Sequence, residues 1–187
     1  MINNNSGQNK LVKRIGYLLV ACAITFGVYR YASYESGPIY EFNVERDTKA
    51  VLDIFEQNKY WLLANPDSSP AFMIKYRTPN ENPIYFGKMR IKVLREDDKL
   101  AGFVTYYMEN PGEGRILFLA VGHDFRGKGY GTQLAQYAIA DLIRMGSEKV
   151  TLWTRLANLP AQKIYKGLGF TEVYYTPGGY VFFEYIP

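Results

Sequence analysis

The sequence predicts an α/β fold, an α+β mixed sheet with helices set between its strands, and three observations carry that expectation. Segments with strand patterning alternate with segments of helical spacing in the order β-α-β-β-β-α-β-α-β-β, with no internal repeat. An apolar run, Ile116–Val121, lacks the alternation of a half-exposed strand and leads through a glycine-rich turn into an amphipathic helix. The 187 residues are 48% apolar and 21% charged, with 17 Tyr, 11 Phe and 2 Trp to fill a core, which bounds the chain to one globular domain plus an appendage.

The appendage comes first. Residues 1–14 form a polar tail that turns basic at Lys10, Lys13 and Arg14, and Ile15–Tyr29 then runs without a charge. A helix over that run covers about 22 Å at ~1.5 Å per residue, short of a ~30 Å hydrocarbon core. Continued to Tyr34, with Arg30 snorkelling and tyrosines at the interface, residues 15–34 are expected to be a transmembrane or signal-anchor helix. A cleaved or lipidated leader is the competing reading. Arg30, Tyr31, Ala32 and Ser33 offer no small-residue cleavage site, and Leu19–Cys22 resembles a lipobox although the apolar run continues past it. Three cations before the helix against one after it favour the domain on the outer face. Residues 35–38, with Ser36-Gly37-Pro38, read as a linker, and 39–187 as the folded domain.

Within the domain, Glu41–Val44 reads as a short strand, and Asp47 is expected to cap a helix in which Val51, Ile54, Phe55 and Asn58 share a side. Prolines and turn residues over 60–84 leave that stretch without a clear assignment. Met89, Ile91 and Val93 alternate with Arg90 and Lys92, a half-buried strand whose hairpin partner is Leu100–Met108. Ile116–Val121 is expected to be a central strand covered on both faces. Leu134, Tyr137, Ala138, Leu142 and Met145 fall at helical spacing, with Gly146 as the stop. Val150–Arg155 is a strand, a short helix carries Ala161, Ile164, Tyr165 and Leu168, and Glu172–Tyr175 with Tyr180–Tyr185 close the chain as a hairpin. Thr176-Pro177-Gly178-Gly179 suits a type II turn there.

Composition excludes several function classes. Four of the 22 basic residues, Lys10, Lys13, Arg14 and Arg30, lie in residues 1–34, which hold no acid; the other 18 are balanced by 18 acids. The basicity therefore belongs to the leader, and no nucleic-acid-binding face is expected. A single cysteine, Cys22, and a single histidine, His123, leave no disulfide framework and no metal site.

The chemistry is expected at Arg126-Gly127-Lys128-Gly129-Tyr130-Gly131-Thr132, where a buried strand passes into a helix. Amides at a helix start lack intrahelical partners and the dipole there is positive, so an anion fits, and the glycines remove Cβ atoms from its path. The glycines run G-x-G-x-G rather than G-x-G-x-x-G, and Gly129 stands where a Walker motif needs a hydroxyl for Mg²⁺, so neither dinucleotide nor NTPase chemistry is indicated.

Leu119-Ala120-Val121 followed by Arg126–Gly131 resembles the R/Q-x-x-G-x-G/A signature of the GNAT superfamily of acyl-CoA-dependent N-acyltransferases. The segment Asn158–Phe170 is similar to that family's N-x-x-A-x-x-x-Y-x-x-x-G-F block, and the element order agrees over roughly residues 39–187. The resemblance implies an acetyl-CoA cofactor, with residues 126–132 on its pyrophosphate and Leu119, Ala120 and Val121 beside its pantetheine arm. It also implies a splay between the strand of Ile116–Val121 and that of Val150–Arg155. Asn158 would contact the cofactor or simply cap its helix. Tyr165 would be the general acid, backbone amides near Ala120 and Val121 would stabilise an oxyanion, and the partner would be an amine acceptor, small molecule or protein. Where some family members carry a carboxylate base, this sequence has Arg115 and Trp153; Glu113, Asp124 and His123 lie nearby, and no base is assigned. A membrane-tethered acyl-CoA-binding module without turnover, or an exported lipoprotein-like domain, are the alternatives. Because acyl-CoA is a cytosolic group, the domain is expected on the cytosolic face of the membrane, against the flanking charges.

Overall fold

The computed structural model describes residues 39–64, 70, 71, 74 and 86–187. The strands are β1 (Ile39–Glu41), β2 (Phe86–Glu96), β3 (Lys99–Asn110), β4 (Glu113–Val121), β5 (Lys149–Arg155), β6 (Thr171–Tyr175) and β7 (Tyr180–Tyr185). The helices are α1 (Val44–Gln57), α2 (Lys59–Leu62), α3 (Tyr130–Arg144) and α4 (Leu159–Gly167), with a 3-10 turn at His123–Phe125. One seven-stranded sheet runs in the order β1-β2-β3-β4-β5-β7-β6. Every neighbouring pair is antiparallel except β4 with β5. The expected mixed α/β sheet is thus present. The expected membrane helix over 15–34 lies outside the described residues, and among those described no helix is long and apolar enough to cross a membrane.

Two apolar clusters sandwich the sheet. On one face, Leu134, Ala138 and Leu142 of α3 and Tyr165 of α4 meet Val104, Leu152, Val181 and Phe183. On the other, Val51, Ile54 and Phe55 of α1 meet Val93, Phe103, Phe118 and Ala120, with Phe55 edge-on to Phe118 at 5.0 Å between ring centroids. At about 1.5–3 kcal/mol per fully buried large apolar side chain, these faces rather than helix propensity hold the helices in place.

Several local expectations change. The first strand lies at Ile39–Glu41, and the helix after it begins four residues before Asp47 would have capped it. Asn43 is the cap: its side chain accepts from the Arg46 amide (2.9 Å), and Asp47 accepts from the Asn43 amide (2.9 Å), a reciprocal pair one residue wider than a capping box. Asp47 is fully buried, so its charge is met by Arg46 and by Arg95 of β2. Burial works against its ionised form, but the hydrogen bonds from Arg46 and Asn43 and the charge of Arg95 hold it below the usual carboxylate range.

β2 is covered on both faces rather than half-buried, because α3 crosses it. Lys92 buries its stem and presents its amine to Glu41 and the Tyr137 ring, while Arg90 pairs with Asp141 of α3 at 2.8 Å. Tyr106 donates to the same Asp141 at 2.7 Å. The last hairpin does not use a type II turn. Gly179, not Gly178, has the positive φ (79°), and the Gly179 amide donates to the Thr176 carbonyl at 3.0 Å, giving a type I turn closed by a left-handed glycine.

β4 is covered by both clusters, as expected, but with a break in its face pattern. Ile116 packs into the α3 cluster while Leu117 and Phe118 both turn to the α1 side. Register explains it: Ile116 pairs with Tyr106 and Phe118 with Thr105, leaving Leu117 as an extra residue in a bulge. The buried Thr105 hydroxyl accepts from the Phe118 amide at 3.1 Å, supporting the bulge from the neighbouring strand.

Candidate active site

The bulge marks where the parallel pair comes apart. β4 and β5 pair at Glu113 with Lys149, Gly114 with Val150 and Arg115 with Thr151, and no further. Beyond Arg115 the strands diverge, and β5 spends the rest of its length paired with β7. The gap is a cleft of about 520 Å³ bordered by β4, β5, α2, the start of α3 and α4. Leu119 and Val121 are only half-buried because they border this gap.

Backbone alternation decides which amides it receives. The Gly122 amide donates to the Ala101 carbonyl at 2.9 Å, and the same register pairs Ala120 with Phe103. In an antiparallel ladder the intervening residues point away from the partner, so the peptide groups of Leu119 and Val121 face the cleft and those of Ala120 face β3. The expectation of free amides near Ala120 and Val121 is corrected to Leu119 and Val121.

At the mouth of the cleft, Gly127 and Gly129 adopt φ of 79° and 80°, and a Cβ built at either would meet nothing within 4 Å. These positions need glycine for the left-handed backbone, and the space beside them is open. Gly131 is different: a Cβ there would meet Ile164 Cδ1 at 3.2 Å, so it permits the close approach of α4. Gly129 caps α3 with no side-chain hydrogen bond, and the first helical bond is from the Gln133 amide to the Gly129 carbonyl (3.1 Å). The six amides from Gly127 to Thr132 therefore have no partner among the described residues. Each hydrogen bond from an amide to a charged group contributes about 1.5–3 kcal/mol, against ~0.3–1 kcal/mol for the helix dipole, so the bare amides dominate anion binding here.

All the site residues expected from sequence border the cleft except Lys128. That lysine turns outward, pairing with both Glu96 carboxylate oxygens (2.7 and 3.0 Å), and Tyr130 donates to Glu96 at 2.6 Å. These contacts hold Glu96 below its ordinary range and raise Lys128 and Tyr130. Asn158 is the α4 N-cap, its Oδ1 accepting from the Ala161 amide at 3.4 Å, and it also borders the cleft. Both roles weighed for it remain geometrically compatible.

Tyr165 lies between core and cleft. Its ring packs against Phe170 and Phe183 at centroid distances of 5.8 and 5.9 Å, and its hydroxyl has no hydrogen-bond partner among the described residues. Burial pushes its pKa up to about 12, so the phenol is a proton donor at any physiological pH. Trp61 and Leu62 of α2 and Trp153 of β5 also line the cleft. Trp153 is braced by Tyr174 and Phe182 at 5.3 and 4.7 Å. Arg155 holds α2 in place through the carbonyls of Tyr60 and Leu63 (2.5 and 2.9 Å).

No Asp, Glu or His borders the cleft among the described residues. Glu113 faces Lys149, Arg115 pairs with Glu109, and His123 and Asp124 are exposed in the 3-10 turn. Sequence reasoning missed Asn58, Glu96 and Trp61. Only Asn58 left a trace, as a polar residue on the apolar side of its helix.

Residues 45–170 match the acetyltransferase (GNAT) family. The chain is 30% identical over 125 residues to the [ribosomal protein bS18]-alanine N-acetyltransferase of Salmonella typhimurium, covering 62% of this chain and 82% of that protein. It is 32% identical over 75 residues, 38% of its length, to the mycothiol acetyltransferase of Corynebacterium aurimucosum, of which it spans a quarter (25%). Among solved structures, yncA from Salmonella typhimurium with its cofactor acetyl-CoA superposes with a TM-score of 0.64 at 15% identity, over 79% of this chain and 92% of that one.

Proposed function

This chain belongs to the acetyltransferase (GNAT) family, and from that premise we propose that it transfers an acetyl group from acetyl-CoA to a primary amine by direct attack in a ternary complex. The observation that carries the reading is the splayed cleft: peptide groups on one wall, unpartnered amides at its mouth and a buried phenol inside. The residues fit the cofactor. Gly127–Thr132 offer amides to its diphosphate, Arg126 adds a cation, and the peptide groups of Leu119 and Val121 suit an extended amide-bearing arm. When bound, acetyl-CoA supplies a thioester carbonyl open to attack and a thiol that leaves.

The chain's own residues perform the rest. The cleft-facing amides of β4 hold the reacting carbonyl and favour the charge that develops on its oxygen. Tyr165, kept protonated by burial, donates its proton to the departing sulfur. Trp61, Leu62 and Trp153 exclude water and receive the acceptor, which these uncharged walls select for an apolar or aromatic neighbour beside the amine. An N-terminal amine of a protein, as in the ribosomal-protein relative, and a small aromatic amine both suit them. With no carboxylate or imidazole bordering the cleft among the described residues, the acceptor enters as the free base, the proton its nitrogen sheds as the amide forms goes to solvent, and Tyr165 regains its proton from solvent after the thiol leaves.

That last observation favours a second reading, an acyl-CoA-binding module without turnover. Incubation of the protein with acetyl-CoA and a panel of peptide N-termini, lysine peptides and small aromatic amines, read by thiol release, separates the two. Thiol release that depends on the amine supports transfer; CoA binding without release supports the module; no CoA binding overturns both. Attachment to a membrane through residues 15–34, with the domain on the cytosolic face, stands on the sequence alone. Protease protection in inside-out and right-side-out vesicles tests it.

A further inference from the structure

Asn58 stands where three walls of the cleft meet. It ends α1, its amide donating to the Phe55 carbonyl at 3.0 Å, and its own carbonyl accepts from Trp61 (2.8 Å) and Leu62 (3.2 Å), the residues that put α2 beside the cleft. The residue is 7% exposed, so its side-chain amide must be satisfied inside the protein. Nδ2 donates to the Ile54 carbonyl at 2.8 Å and points to the Val121 carbonyl at 3.5 Å, on the cleft-facing side of β4. Oδ1 accepts from Arg126 Nη2 at 2.8 Å. One buried amide thus ties the α1–α2 junction, the end of β4 and the cation that opens the glycine turn.

Arg126 is otherwise an exposed side chain on an exposed turn, free to sample many rotamers. The neutral amide fixes it beside the cleft without neutralising it, as a carboxylate would. We infer that Asn58 is a positioning residue for the glycine turn: it presents Arg126 to the ligand's diphosphate, and through α2 it couples filling of the turn to the Trp61 wall. The inference rests on the reading of the turn as the acetyl-CoA site. Asn58 touches no reacting atom in this role, so its loss weakens binding of the carrier and leaves the chemical step intact at saturation.

The test is a double-mutant cycle, measured by calorimetry with CoA as the probe, on the wild type, Asn58→Ala, Arg126→Ala and the double variant. Either single substitution should weaken CoA binding by about tenfold, the double should add less than about twofold, and kcat of Asn58→Ala at saturating acetyl-CoA should stay within about twofold. A merely structural Asn58 would lower thermal stability while its effect on CoA affinity added to that of Arg126→Ala, and this additive outcome overturns the inference. Should Asn58→Ala fail to fold, Trp61 supplies the second readout. In a Trp153→Phe background Trp61 is the remaining one of the chain's 2 tryptophans. Saturating CoA should change Trp61 emission, and Arg126→Ala should abolish that change at saturation; an unaltered response overturns the coupling. Absence of CoA binding by the wild type refutes the functional reading itself, and the inference with it. Wild-type binding with an additive cycle refutes only the role of Asn58.

Discussion

Two parts of the cleft lining are built from different materials. The mouth, from Gly127 to Thr132, is backbone: unpartnered amides held in shape by two left-handed glycines, with side chains turned aside, as Lys128 is to Glu96. Outside the turn the lining includes large side chains: Trp61, Leu62, Trp153 and Tyr165, with Trp153 braced by Tyr174 and Phe182. A site made of peptide groups reads what every ligand of one kind shares, a diphosphate. A site made of side chains reads what distinguishes one acceptor from another and carries the proton chemistry. Substitutions should therefore act through conformation at the mouth and through chemistry at the side-chain walls.

The largest expected effect is chemical. Tyr165→Phe removes one oxygen and keeps the ring packed against Phe170 and Phe183. Turnover should fall on the order of 100-fold while CoA affinity, measured by calorimetry, changes less than about twofold. Unchanged turnover in a chemistry-limited assay would move the proton donor elsewhere and break the division of labour.

Next comes the mouth. Gly129→Val forces a β-branched residue to φ of 80°, a strain of about 1–3 kcal/mol. CoA binding should weaken roughly 10- to 100-fold, because the turn relaxes to a shape in which its amides diverge. A valine variant that binds normally would show that the diphosphate is held by something other than this backbone.

A comparable effect should appear with pH. For an alkyl amine with pKa near 10, mostly protonated at pH 7, kcat/KM should rise nearly tenfold per pH unit from 7 to 9, whereas for an N-terminal amine with pKa about 8 the rise should level off above about pH 8. The folded-state pKa of Tyr165 is raised to about 12, so its donor form persists and no alkaline fall is expected below about pH 10. A descending limb near pH 8 would assign the acid to another group.

The smallest effect sharpens the comparison. Trp153→Ala should raise KM for an aromatic acceptor about fivefold and leave CoA affinity unchanged, since the tryptophan lines the cleft without belonging to the glycine turn. Equal losses for both substrates would mean that the two parts act as one.

What the sequence determined by itself is what local spacing encodes. The helical faces of α1, α3 and α4, the hairpins, the glycine turn and Tyr165 in its block are all readable because their residues lie one turn or one pleat apart. Even local signals lost where a neighbour competed, as when Asn43 rather than Asp47 capped α1 and when α3 covered the alternating strand β2. The cleft itself belongs to the tertiary structure. It opens where β4 parts from β5 beyond Arg115, beside the bulge at Leu117 whose Phe118 amide bonds the Thr105 hydroxyl of a neighbouring strand, with Leu119 and Val121 bordering the gap. Likewise Asn58 reaches Arg126 across 68 residues and Glu96 reaches Lys128 across 32. Contacts of that range depend on strand register and on which helix crosses which strand, and a single chain of letters carries those only through the packed fold.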